Sequence, residues 1–306
     1  MQVYIKTTFK KMWKYRAIYM VMIPGLIWYV VFAYIPMGGL SLAFKDYKAN
    51  LGILNSPWSG TTNFGYVFQD TAFWRSISRT LVINVGRLLT QFPAPIILAI
   101  LLNELRIGRY KRILQSLFTF PSFLSWVIVA SIMTNVLSMD GVVNSFASAL
   151  GGTPVNFLGN PKFFQPLLYF TEIWKSSGYS AIIYLASISG IDVEQYEAAE
   201  IDGARRIQRM FYITLPNLIP TITVLFILMC GNLMSTGFDQ IFNLSNAAVR
   251  SVAETLDMYI YRITFQTSVG FSYASAVALF RSVVNMLLLL FADRASRIMG
   301  GSGLMS

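Results

Sequence analysis

Apolar residues run through this chain in long blocks, separated by polar stretches rich in Gly, Asn, Ser and aromatics. A helix that crosses a bilayer needs about 20 mostly apolar residues. Six blocks meet that length, at 17–36, 80–102, 113–137, 166–189, 213–235 and 274–293. The pattern predicts an all-α, polytopic membrane protein with six transmembrane helices. The fourth block is the least apolar, because Glu172, Lys175 and two serines interrupt it. Composition agrees: 55% of the 306 residues are hydrophobic, 12% are charged and the mean hydropathy is +0.55. A soluble domain of this size carries about twice that share of charge.

Charge distribution orients the spans. Lysine and arginine gather in segments that alternate along the chain: five in the N-terminal tail, four in 103–112, three in 191–212 and two after Asp293. The intervening connections 45–78, 138–165 and 236–273 are far longer and more sparsely basic. The cytoplasmic side of a membrane protein carries the lysine and arginine excess, so both termini are expected in the cytoplasm of a plasma or inner membrane. This bias accounts for most of the net charge of +10, and no nucleic-acid partner is needed to explain it. Residues 1–16 read as a basic cytoplasmic segment. Tyr4, Ile5, Phe9, Met12 and Trp13 recur there at helical spacing, which suits an anionic leaflet or a frayed tail equally. The first apolar block, within a first helix at 17–44, is too long for a signal peptide and lacks a small-residue cleavage pattern.

Between the fourth and fifth blocks lies a compact polar hairpin. Asp192 suits an N-cap, with Gln195 at the third helical position, Glu194 and Glu197 near the positive end of the helix dipole, and Gly203 as the stop. Tyr196, Ala199, Glu200 and Gly203 share one face by their spacing, and small side chains there let another surface approach closely. Pro216 and Pro220 open the next apolar block, where a missing amide donor is tolerated.

The stretch Glu197-Ala198-Ala199-Glu200-Ile201-Asp202-Gly203-Ala204, followed by Ile213-Thr214-Leu215-Pro216, resembles the signature of the inner-membrane permeases of binding-protein-dependent ABC importers. The resemblance implies that Tyr196, Glu197, Ala198, Ala199, Asp202, Gly203, Ala204, Leu215 and Pro216 form a loop that docks into a cleft on a separate ATPase. An amphipathic helix capped only for its own stability is the alternative reading of the spacing. Other segments are similar to the oligosaccharide and polysaccharide branch of that superfamily, in the same order: Tyr34-Ile35-Pro36-Met37-Gly38-Gly39, Phe92-Pro93-Ala94-Pro95, Pro121-Ser122-Phe123, Ile173-Trp174-Lys175 and Gly237-Phe238-Asp239-Gln240. Met258 departs from it where a small polar residue is expected, and so does the end of the tail, Gly300–Ser306. The resemblance implies a type I importer permease fold with its transport core at 79–297, which contains the coupling loop 191–212. It also implies a second homologous permease, two ATPase subunits that hold ATP and magnesium, an extracellular solute-binding protein and a carbohydrate substrate.

Enzyme chemistry finds little support. The chain has no histidine, a single cysteine within a predicted span, and no Gly-x-x-x-x-Gly-Lys-Ser/Thr segment to cradle a nucleotide. No cofactor is therefore expected on this chain, and no metal site. Charged residues inside spans are costly and face protein or a water-filled path. Glu172 and Lys175 stand three apart and can pair, an arrangement that suits helix packing as well as a solute path. With Trp174 and Tyr179 nearby, and with Asn232 and Ser235, they are candidates for a sugar path, where a ring meets the CH face and polar groups meet hydroxyls. Asn84, Asn232 and Asn285 equally suit interhelical hydrogen bonding. By resemblance, Phe238, Asp239 and Gln240 are candidates for contact with the binding protein. A permease for a non-sugar solute, a secondary transporter and a membrane-embedded regulatory subunit are the rival readings.

Overall fold

The computed structural model describes residues 13–105, 108–235, 237–267 and 270–298. The basic segment before residue 13 and the tail after residue 298 lie outside these, apart from Trp13, Lys14, Tyr15, Arg16 and Ile298. Among the described residues the regular structure is helical, with one isolated antiparallel bridge between Lys45 and Trp58.

Contacts divide the chain into two compact units: residues to Gln69 together with Ile263–Leu279, and Asp70–Arg262 together with the chain from Phe280 on. The first unit opens with helix α1, Arg16–Tyr29, which runs through a π turn at Val30–Tyr34 to a 3-10 stretch ending at Phe44. No residue of α1 is buried and almost every one is apolar, the character of a helix solvated by lipid or by another chain. Below it a loop folds around Lys45. The buried ammonium donates to the carbonyls of Ile53 (2.8 Å) and Leu54 (2.9 Å) and lies 5.0 Å from the Trp58 ring. These contacts neutralise a charge that would otherwise be costly to bury. Helix α2, Thr62–Gln69, ties back through Asn63, whose amide donates to the carbonyls of Ala43 and Lys45.

The second unit carries most of the helices. These are α3 (Thr71–Thr90), α4 (Pro93–Glu104), α5 (Arg109–Thr119), α6 (Trp126–Leu137), α7 (Val142–Ala149), α8 (Pro161–Ser189), α9 (Val193–Ile201), α10 (Leu215–Cys230) and α11 (Phe238–Leu244). Helices α12 (Leu256–Phe265) and α13 (Phe271–Ile298) run from one unit into the other. At the centre of the second unit, α8 packs against α3, α4, α5 and α10. Two apolar clusters flank it: Ile83, Val129, Phe164, Leu168, Ile241 and Val249 on one side, and Ala99, Ala181, Tyr184, Ile188 and Leu218 on the other. Met258 packs against the first of these, so its departure from a small polar residue is filled by core contact.

Five helical stretches among the described residues are long and apolar enough to cross a membrane: Arg16–Phe44, Thr71–Glu104, Trp126–Ala149, Arg206–Cys230 and Phe271–Ile298. Helix α8 spans 29 residues, long enough to cross, but its polar side chains set it apart from those five. Two predicted blocks are broken. The block at 80–102 is two helices parted at Gln91–Phe92, because Pro93 and Pro95 have no amide proton to give and instead start a new helix. The block at 113–137 is interrupted by a 3-10 turn at Phe120–Phe123 around Pro121, and Ser125 caps the helix that follows. Helix α8 survives Pro166 and Gly178 without a break. Gly178 is where α8 meets the backbone at the end of α5: a Cβ there would lie 2.0 Å from the carbonyl oxygen of Phe118. Only glycine permits this approach.

Candidate functional site

The hairpin between α8 and α10 is an elbow built from its own side chains. Asp192 caps α9 by accepting from the Glu194 amide at 3.0 Å, as the sequence predicts. At the other end Ala204 N donates to Ala199 O (2.8 Å) and Gly203 N to Glu200 O (3.1 Å), with Gly203 at φ +74°. This pair of bonds around a left-handed residue is the Schellman closure, which satisfies the last carbonyls of the helix and turns the chain sharply.

Three side-chain bridges then bind α9 to the chain that enters the membrane. Tyr196 Oη meets Thr214 Oγ1 at 2.9 Å, Arg209 Nη1 meets Glu200 Oε2 at 2.9 Å, and Asn217 Nδ2 donates to Gln195 Oε1 at 3.1 Å. Thr214 is buried and lies in a π turn at Met210–Thr214 that leads directly into Leu215-Pro216. Tyr196 and Glu200 each bond to this chain, Tyr196 half-buried and the Glu200 side chain still 75% exposed. Val193, Glu194, Glu197, Ala198 and Ile201 are exposed around the other side of α9, and Gln195 and Glu200 are exposed as well. Ile201 is 87% exposed and Ile207, in the turn beyond, 66%. Ile201 and Ile207 thus form an exposed apolar patch with acidic neighbours at the tip of the braced elbow. The i, i+3, i+4 spacing identified the two faces of α9 but not which one is used at home. The bracing partners Arg209 and Thr214, distant in sequence from the helix, had no local signal.

The residues expected on a sugar path fall into separate groups. Glu172 and Lys175 form no ion pair within 4 Å. Lys175 Nζ instead donates to the Ser122 carbonyl at 3.1 Å and lies 5.4 Å from the Trp126 ring, while Ser122 Oγ donates to the Lys175 carbonyl at 2.7 Å. The helix break at Pro121 leaves carbonyls in want of donors, and this ammonium is within reach. Trp174 lies away from Glu172 and Tyr179, since residues two apart on a helix point to different sides. It joins Phe157, Phe163, Phe170, Val143 and Leu137 around a wholly apolar groove of about 510 Å³. Tyr179 is exposed and shares the Glu172 side of α8.

Asn232 and Ser235 lie together where α10 ends. From Gly231 to Ser235 the chain runs in turns, and its backbone groups are met by side chains from two other helices. Asn84 of α3 donates to Leu233 O at 2.6 Å and Ser235 O at 3.3 Å. Asn285 of α13 accepts from Met234 N at 3.0 Å and donates to Ser235 Oγ at 3.2 Å. The Asn232 side chain is exposed and donates to the Leu228 carbonyl one turn back.

Gln240 departs from expectation. It is fully buried, accepts from Arg87 Nη2, and donates to Leu168 O and Thr171 Oγ1, both at 2.8 Å. A residue enclosed by α3 and α8 cannot touch an external protein; of the other two expected residues, Asp239 is exposed and Phe238 is half-buried, stacked on Phe242 and tilted against Tyr261. Arg87 bonds to the Gln240 side chain and Arg281 to that of Asp257. Arg281 and Asp257 form an ion pair. Buried charges inside a membrane protein persist only with such partners.

Residues 91–297 match the family model of the binding-protein-dependent transport system inner membrane component, and those residues contain the elbow, α8 and the interrupted segment. The chain belongs to this family. Among curated relatives, this permease is 40% identical over 295 residues to the polygalacturonan/rhamnogalacturonan transport system permease protein YteP of Bacillus subtilis, covering 96% of this chain and 92% of that one. It is 31% identical to the lactose transport system permease protein LacF of Rhizobium radiobacter, over 72% of this chain and 75% of the other. Among solved structures it is similar to a chain of the bacterial alginate ABC transporter in complex with an alginate pentasaccharide-bound periplasmic protein. That match has a TM-score of 0.87 at 36% identity and covers 96% of this permease and 99% of that chain.

Proposed function

We propose that this permease forms half of the translocation path of an ATP-driven importer for an oligosaccharide. The solute is delivered by an extracellular binding protein, and the partners are a second homologous permease and two ATPase subunits. The elbow carries this reading. It is braced by Tyr196, Glu200 and Gln195 to the base of α10 and exposes Val193, Glu197, Ala198 and Ile201. A surface so placed takes force from outside the bundle and delivers it to α8 and α10, whereas a secondary carrier has no use for it. In the proposed cycle, closure of the ATPase pair draws the elbows of the two permeases together. Helices α8 and α10 then shift as a unit, and the path opens toward the binding protein. Nucleotide and magnesium reside on the ATPases. The elbow is assigned to the cytoplasm, with both termini, by the lysine and arginine bias.

Carbohydrate as the solute is supported by the relatives, whose names specify polygalacturonan, lactose and alginate. The test is uptake into proteoliposomes that hold the whole complex, with labelled uronate and neutral oligosaccharides, and Glu197→Lys as the uncoupling variant. ATP-dependent uptake in the wild type, with a loss of at least tenfold in the variant and unchanged folding of the permease, is expected. Uptake driven by an ion gradient without the ATPases, or full transport by Glu197→Lys, refutes the reading.

A further inference from the structure

We propose that Asn285 and Asn84 are positioning residues that hold the interrupted segment 231–235 so that Ser235 and Asn232 present a hydrogen-bond donor and acceptor to neighbouring hydroxyls of a saccharide ring. This rests on the importer reading above and adds the means by which the path recognises its solute.

An uninterrupted helix would satisfy every backbone group from within, which is why helices cross membranes. Here the helix stops at Cys230, and although the amides of Gly231, Asn232, Leu233 and Ser235 still bond to carbonyls three or four residues back, the chain no longer satisfies every backbone group from within. The carbonyls of Leu233 and Ser235 and the amide of Met234 are then served by two asparagines from separate helices, each making two bonds to this short stretch. One bond differs from the rest in kind. Asn285 Nδ2 donates to the hydroxyl oxygen of Ser235, not to the backbone. With that oxygen engaged as an acceptor, the Ser235 proton has no acceptor among the described residues and is directed away from Asn285. Asn232 stands one turn before it, joined through the bond from Ser235 N to Asn232 O at 2.9 Å. Its amide gives one N–H to Leu228 O, leaving its carbonyl oxygen available at an exposed position. A donor and an acceptor one turn apart match a vicinal diol, whose two hydroxyls can each give and take a hydrogen bond. Asn84 is nearly buried and reaches only backbone, so its part is to hold the frame.

A residue that only glued helices would affect all solutes alike. A residue that aims the Ser235 hydroxyl affects the preference for an intact diol over its deoxy analogue, because a site built to bond a hydroxyl rejects a ligand without it. The experiment uses the reconstituted complex with its binding protein. It compares a transported oligosaccharide with the analogue lacking one ring hydroxyl, each loaded on the binding protein, in wild type, Asn285→Leu and Ser235→Ala. The expected result is a fall of about tenfold in the rate for the intact sugar in Asn285→Leu, with the analogue little changed, so that discrimination collapses; a single neutral hydrogen bond has that weight. Ser235→Ala, which leaves the bond from Met234 to Asn285 in place, is expected to do the same and decides the matter if Asn285→Leu does not assemble. Wild-type discrimination in either assembled variant overturns the proposal, as does an equal loss for both sugars. A wild-type complex that imports no saccharide at all refutes the importer reading and this inference together; normal wild-type import with undisturbed variants refutes this inference alone.

Discussion

Gly203 separates two reasons why a glycine closes the elbow. Its φ of +74° lies in the left-handed region, and a Cβ built there meets nothing within 4 Å. In the permease by itself, then, the cost of any side chain is conformational, about 1–2 kcal/mol for a residue that enters the left-handed region without glycine's freedom, and it does not grow with size. That cost weakens the closure formed by the Ala204 and Gly203 amides, changing the population of the intact elbow by a factor of about 5–30. Asparagine tolerates this region best after glycine. A series of Gly203→Ala, Gly203→Asn and Gly203→Trp in the reconstituted complex, measured as transport-coupled ATP hydrolysis, is therefore expected to order as glycine, asparagine, then alanine when the backbone alone matters. Alanine and tryptophan fall together in that case. If Gly203 also touches the ATPase, tryptophan falls far below alanine while the detergent-solubilised permease shows equal stability for both. The conformational argument is refuted if Gly203→Asn loses as much coupling as Gly203→Trp.

Three further outcomes follow from the geometry. Gly178→Ala would put a methyl group 2.0 Å from the Phe118 carbonyl oxygen, forcing α5 and α8 apart at a cost of about 1–3 kcal/mol, seen as a lower midpoint of thermal unfolding in detergent. Arg87→Leu removes a donor from the fully buried Gln240 and costs about 1–3 kcal/mol by the same measurement, and Arg87→Leu paired with Gln240→Leu is expected to recover part of it. Placing a thiol at the elbow with Ile201→Cys, in a Cys230→Ser background, gives labelling by a membrane-impermeant reagent in inside-out vesicles only. Labelling from the opposite face would reverse the assigned orientation.

Much of this architecture is legible in the amino-acid pattern, for identifiable reasons. Hydrophobic length is a property of composition, so the long apolar segments and the helical class follow from it directly. The cap at Asp192 and the stop at Gly203 are local effects, decided within a few residues. What escapes is whatever depends on partners far along the chain. Glu172 and Lys175 stand at a spacing that favours pairing, yet Lys175 is drawn to a carbonyl 53 positions earlier. Gln240 lies in a polar-looking loop and is nevertheless buried, because Arg87, Leu168 and Thr171 await it from α3 and α8. Tyr196 and Glu200 were visible as one face, but only the fold reveals that Thr214 and Arg209 claim it. Proline positions were visible too. Their effect on the 80–102 and 113–137 blocks, two separate helices in each case, shows that an apolar run sets the depth of a segment and not its continuity.

The contact at Gly178 gives α8 a mechanical character. With no side chain between it and the Phe118 backbone, the rod cannot come closer there, and the contact can serve as a fulcrum. At about 1.5 Å per residue, the arm from this fulcrum to the elbow end at Ser189 is roughly 17 Å and the arm to Pro161 roughly 26 Å. Such a lever would enlarge a displacement applied at the elbow about one and a half times at its far end, so a modest ATPase stroke would yield a larger swing of Phe163, Pro166 and Phe170.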